Sequence, residues 1–187
     1  MNLTTPQNEK KHLIALLEIP NIGLSIAKKL IDQYGSAKAV LSLSTSKYQT
    51  FGKVGLNIIE ALQKGIVFQV ALAQIEYCTS NNIEILSYYE KRYPQRLKHC
   101  PDAPLILYFR GACNLNHSKI VAIVGTRNAT SYGKNICENI IEELAGQNVL
   151  IISGLAYGVD ITAHLKAIKY KTPTVGVLAH GLDSIYP

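Results

Sequence analysis

The chain has 187 residues, enough for one domain or two small ones at roughly 100–200 residues per domain. Hydrophobic residues make up 48% and charged residues 17%, which excludes a disordered chain, and no apolar run approaches the roughly 18–20 residues of a membrane span. The net charge of +6 is compatible with a polyanionic partner, and the excess lies early: 13 Lys+Arg against 8 Asp+Glu up to His117, then 6 against 5 from Ser118 onward.

The first twenty residues carry Lys10 and Lys11, but their apolar stretch is short and includes Glu18, so they read as an ordinary helix and not a signal peptide; a cytoplasmic protein is the expectation. Leu13, Leu16 and Leu17 lead into Ile19-Pro20-Asn21-Ile22-Gly23, after which Ile26, Ala27, Leu30 and Ile31 recur at helical spacing up to a stop at Gly35. This helix–tight turn–helix pattern looks like a helix-hairpin-helix unit. Such turns offer backbone amides to DNA phosphates. The same pattern also serves as an interhelical turn without a ligand, with Lys28 and Lys29 on a solvated face. A block from Phe51 to Leu62 echoes it as a weak internal repeat, with Gly23 aligned on Gly55. An apolar helix follows from Val67 to about Tyr77, closed by Ser80-Asn81-Asn82.

The pattern then changes. Residues 83–86 and 105–109 are short strand-like runs, and between them lies a Pro-punctuated loop with a basic cluster, Lys91, Arg92, Arg96 and Lys98. The domain boundary is placed near Ser80, giving a helical domain over 1–80 and a Rossmann-like domain over 81–187. From Ile120 the alternation is clearer: an apolar run to Val124, a helical pattern through Ile136, Cys137, Ile140, Ile141 and Leu144, and a second run at 149–152. A helix over roughly 161–170 and a third run at 174–178 follow. Strands apolar on both faces, alternating with helices, indicate an α/β fold with a mostly parallel sheet. The chain stops at Tyr186-Pro187, just after the third run, where a complete doubly wound domain usually continues, so an incomplete sheet or a shortened chain is expected.

In such a sheet, ligands sit at the carboxyl ends of the strands. The first end is Gly125-Thr126-Arg127 leading through Ser131 to Tyr132-Gly133. The second is Ser153-Gly154-Leu155-Ala156-Tyr157-Gly158-Val159-Asp160, and the third is His180-Gly181-Leu182-Asp183. Glycines let backbone amides approach an anion, a helix N-terminus favours negative charge, and the Arg127 guanidinium suits phosphate. The competing reading is that the glycines only close tight turns. Gly133-Lys134 is followed by Asn135, so there is no Walker A loop, and no G-x-G-x-x-G follows the first run, which argues against a dinucleotide cofactor. Asp160 and His164, four apart, share a helix face; they suit a structural pair locking the 153–160 loop better than a base and its orienter, since no nucleophile accompanies them. Arg127 could also be a buried arginine pairing with Asp160. Cys78, Cys100, Cys113 and Cys137 form no C-x-x-C pair, so buried free thiols are expected, with neither zinc nor a disulfide framework. The 11 tyrosines can pack in a core or stack on bases, and their number alone does not decide.

The Gly125-Thr126-Arg127 run, the 153–160 motif with Ala163-His164, and Gly181-Leu182-Asp183 with Tyr186-Pro187 together resemble the DNA processing protein A (DprA, or Smf) family. Tyr93-Pro94, Leu97, Pro101, Pro104 and Gly111 are similar to that family's approach to its Rossmann-like domain, and the front segment to its helix-hairpin-helix or SAM-like N-terminal domain. The resemblance implies a non-enzymatic, cofactor-free protein that binds single-stranded DNA during natural transformation, protects incoming strands and hands them to the RecA recombinase. It implies DNA contacts at Gly125, Thr126, Arg127, Ser131, Ser153, Gly154, Tyr157 and Gly158. Two departures stand out. The family often has Arg or Lys where this chain has Tyr157, a residue that could stack on a base instead. Its members also dimerise largely through a region beyond residue 187, so the homodimer belongs to the longer relatives. The competing expectation is a nucleotide-binding or phosphoribohydrolase-like Rossmann enzyme, which would need paired acidic residues where this chain has His180-Gly181-Leu182-Asp183.

Overall fold

A computed structural model describes residues 5–184, so Tyr186 and Pro187 lie outside the described residues. The chain divides into two compact units, Met1–Gly111 and Ala112–Pro187, parting later than the change of sequence pattern at Ser80. The strand-like runs that follow Ser80 explain the difference. They form β1 (Glu84–Ser87) and β2 (Ile106–Phe109), which pair antiparallel with each other and belong to the first unit.

That unit opens with α1 (Thr5–Leu17) and α2 (Leu24–Tyr34), joined by a turn in which Asn21 takes φ 65° and Ile22 N–H reaches Ile19 O at 3.0 Å. The expected stop at Gly35 is a left-handed C-cap, φ 88°, whose amide bonds to Ile31 O. Two short helices, α3 (Ala37–Leu41) and α4 (Thr45–Gln49), precede α5 (Lys53–Lys64) and α6 (Ile66–Ser80). The repeat alignment is out of register: it would start the second helix at Leu56, whereas α5 starts at Lys53, so Gly55 lies inside a helix while Gly23 precedes one. Ile14, Leu16, Ile19, Ile58 and Leu86 are almost fully buried in the core, together with Tyr93, whose hydroxyl donates to Pro104 O at 2.7 Å. Among the described residues no single helix is long and apolar enough to cross a membrane.

The second unit is a parallel sheet, β3 (Ile120–Ala122), β4 (Leu150–Gly154) and β5 (Thr174–Val177), in that spatial order. Crossovers α7 (Ser131–Leu144) and α8 (Val159–Lys169) connect them. Strand alternation sends Val121, Ile123, Val149 and Ile151 to one face, where they pack with Cys137 and Ile141 of α7 and Ala163 and Ala167 of α8. Both helices therefore cover the same face, as successive right-handed crossovers require. On the opposite face Val124 and Val177 are exposed. This is the α/β, mostly parallel arrangement expected from the sequence, and it brings the N-termini of α7 and α8 to one end of the sheet.

Candidate functional site

The loop after β3 and the loop after β4 are locked into one structure. Val159 N–H, at the start of α8, donates to Thr126 O at 3.1 Å. Gly158 takes φ +86°, and a Cβ there would stand 2.2 Å from Thr126 O and 2.4 Å from Arg127 O. Gly125 and Gly154 are held as closely: a Cβ on the first would meet the Val159 side chain at 2.6 Å, and on the second the Asp160 carboxylate at 2.4 Å. The close approaches that require these glycines are thus made by protein on protein. Ser153 is buried with its hydroxyl donating to Ile123 O at 2.6 Å, because it shares the helix-facing side of β4 with Ile151.

Outside this lock lies a cleft of about 850 Å³ between the first turns of α7 and α8. Of the residues singled out from the sequence, Arg127, Ser131, Tyr157 and Gly158 line it; Gly125, Thr126, Ser153 and Gly154 are not part of its lining. Arg127 is exposed and takes part in none of the ion pairs among the described residues; Asp160 is 93% buried, so the two do not form the buried pair. Tyr157 and Tyr132 are exposed, whereas Tyr48 and Tyr93 are core residues, so packing accounts for only some of the tyrosines.

The two helix starts differ electrically. Thr130 caps α7, its hydroxyl oxygen accepting from Gly133 N–H at 3.1 Å, which leaves the Ser131 and Tyr132 amides without a carbonyl inside the helix. With Arg127 and Lys134 beside it, this start is suited to an anion. The start of α8 is closed: Val159 and Ile161 amides bond to Thr126 O and Ala156 O, and Asp160 places a carboxylate in the first turn. His164 does not bond to Asp160. Its Nε2 donates to Gly154 O at 2.7 Å and its Nδ1 meets the Thr174 hydroxyl at 2.8 Å, tying α8 to β4 and β5. Asp160 Oδ1 has no hydrogen-bond partner among the described residues.

Sequence reasoning missed three charged residues of the cleft: Lys134, Glu138 and Lys166. Glu138 accepts from Lys166 Nζ at 2.5 Å and from Lys169 Nζ at 2.6 Å. Those two hydrogen bonds hold its carboxyl down at about 2. In the first unit, the basic cluster is spread over the surface: Arg92 pairs with Glu84 at 2.7 Å, Lys98 lies 5.1 Å from the centre of the Tyr88 ring, and Lys91, Arg92 and Arg96 are exposed. The cysteines are free thiols, Cys78 and Cys137 buried, Cys100 exposed, and burial pushes Cys137 up.

Residues 84–187 match the family model described as DNA recombination-mediator protein A. The chain is 41% identical over 108 residues to the DNA processing protein DprA of Bacillus subtilis, covering 57% of this chain and 35% of that protein. It is 27% identical over 188 aligned positions to protein Smf of Synechocystis, covering 96% of this chain and 46% of that one. The chain therefore spans between about a third and a half of the length of these relatives. The X-ray structure of DNA processing protein A from Streptococcus pneumoniae matches all of this chain and 62% of its own, with a TM-score of 0.66 and 25% identity. The matched model covers more than half of the chain, including both interlocked loops and the α7–α8 cleft, and the chain belongs to the DNA recombination-mediator protein A family.

Proposed function

We propose that the chain binds single-stranded DNA in the cleft between α7 and α8 and serves DNA processing during natural transformation. In this reading it protects incoming strands and passes them to the RecA recombinase, in the cytoplasm. The observation that carries the reading is an exposed Arg127, without an acidic partner among the described residues, beside the open amides at the start of α7. Arg127 and Lys134 supply charge, Ser131 and its neighbouring amides supply hydrogen bonds, and Tyr157 supplies a ring for a base. Gly125, Thr126, Ser153, Gly154 and Gly158 hold the two loops in place. The homodimer is a property proposed for the longer family members. Binding is favoured over catalysis in this reading, since among the described residues lining the cleft the one carboxylate, Glu138, is tied to two lysines.

Fluorescence anisotropy with a labelled oligothymidylate and the matching duplex tests this. Binding should favour the single strand and fall with salt, with a log–log slope of about 0.7 per phosphate neutralised. Arg127→Ala should weaken binding and flatten the slope by roughly one such unit, while Tyr157→Ala should lower affinity and leave the slope alone, since stacking releases no counterions. An unchanged slope in Arg127→Ala, or nucleotide hydrolysis by the purified chain, would overturn the reading.

A further inference from the structure

Among the described residues that line the cleft, Glu138 is the one carboxylate. It stands one turn beyond Lys134 on α7 and holds two ammonium groups of α8, with Lys166 Nζ on Oε2 at 2.5 Å and Lys169 Nζ on Oε1 at 2.6 Å. The Tyr170 hydroxyl adds a third donor to Oε1 at 3.2 Å. Lys166 itself lines the cleft, whereas Lys134, on the same wall, takes part in no ion pair among the described residues. The contacts are only partly buried, with 30% of the Lys166 and 57% of the Lys169 side chain accessible. Both lysines are therefore within reach of an outside anion, and an ammonium released from Glu138 would have a phosphodiester oxygen as its nearest alternative acceptor. A carboxylate so placed also lowers the positive potential that an approaching strand meets.

We propose that Glu138 is a built-in competitor of the nucleic-acid backbone: it occupies Lys166 and Lys169 in place of a phosphodiester, and so sets the cleft's affinity below what its lysines could reach. The strand then remains exchangeable, which suits a protein that must give up what it binds. This rests on the reading of the cleft as a phosphate site. Glu138 acts through the lysines; it does not itself touch the strand.

The test is a salt titration of oligothymidylate binding, followed by anisotropy, on the full chain and its variants, with melting temperature measured for each. Glu138→Gln is expected to tighten binding several-fold and to steepen the log–log slope by roughly 0.7–1.4, for one or two additional phosphates engaged. Glu143→Gln, which removes the same charge from an exposed position of the same helix, should leave the slope near wild type. Equal steepening in both would assign the effect to bulk charge and overturn the proposal, as would an unchanged slope in a folded Glu138→Gln. A second pair of variants does not depend on Glu138→Gln folding. Lys134→Met should flatten the slope by about 0.7, while Lys166→Met should scarcely change it, because in wild type Glu138 already holds that ammonium. Equal flattening by the two lysine variants would also refute the competition. Arg127→Ala in the same series separates the two levels. If it binds as wild type, the phosphate reading fails; if it loses binding while Glu138→Gln gains nothing, only the role of Glu138 fails.

Discussion

Gly158→Ala perturbs the point where the two loops of the site lock together. The added Cβ would stand 2.2 and 2.4 Å from the carbonyl oxygens of Thr126 and Arg127. Ordinary carbon–oxygen contacts begin at about 3.3 Å, so the first loop must withdraw by roughly 1 Å. That withdrawal breaks the 3.1 Å bond from Val159 N–H to Thr126 O, a loss of about 0.5–1.5 kcal/mol. Holding an alanine at φ +86° and ψ −124° adds roughly 1–3 kcal/mol. The sum is about 1.5–4.5 kcal/mol, which for a unit of this size lowers the melting temperature by roughly 6 °C or more. Arg127 moves with the loop, so strand binding should fall as well. Gly146→Ala is the control: its φ is also positive, +77°, but its Cβ would meet nothing within 4 Å. It should show the backbone strain alone, a loss of about 1 kcal/mol with binding unchanged. The assay is thermal unfolding by circular dichroism alongside anisotropy. Equal losses of stability in the two variants, with binding intact in both, would refute the interlock.

Two pH dependences follow from the shifted groups. Glu138 lies near 2 in the folded chain against about 4.3 in an unfolded one, so its contribution is complete above pH 5 and is lost as pH falls toward 2. The melting temperatures of wild type and Glu138→Gln should therefore differ at pH 6 and converge toward pH 2, and a gap that persists at pH 2 would contradict this. Burial pushes Tyr93 up to about 12, above the unfolded value of about 10. Its contribution is present below pH 10 and lost as pH rises toward 12. Part of the phenolate absorbance should thus appear only near pH 12, together with loss of helical ellipticity, and complete ionisation near pH 10 with the fold intact would count against it.

The strand–helix alternation of the second unit was legible because each run is apolar and bounded by small residues, and the place of Arg127 on the cleft was legible because it follows Gly125-Thr126 at the end of the first apolar run. The side of the strand on which Ser153 falls was readable too: alternation from Ile151 turns it inward, and attention to period two would have separated it from the cleft wall. Glu138 and Lys166 could not be paired from the sequence, since they meet only when α7 docks on α8. The repeat went out of register because glycine plays two different parts, an N-cap at Gly23 and a helix interior at Gly55, and a match of letters does not distinguish them. The runs of β1 and β2 read as part of the domain that follows, although among the described residues their strands pair only with each other.

Cations help to fasten the loop between β1 and β2. Lys10 reaches Glu90 at 2.9 Å, Arg92 reaches Glu84 at 2.7 Å, Lys28 donates to Pro101 O at 3.3 Å, and Lys98 rests against the rings of Tyr88 and Tyr93. Much of the early excess of basic residues is therefore mortar for the first unit, and formal charge overstates the field that it offers to a polyanion. Such contacts are individually weak and are screened over about 10 Å at 0.1 M salt. Salt thus acts on this chain twice, by loosening its own loop and by competing for phosphates. A binding slope becomes a count of phosphates only after the melting temperature, taken over the same range of salt, has shown how much of the change belongs to the protein.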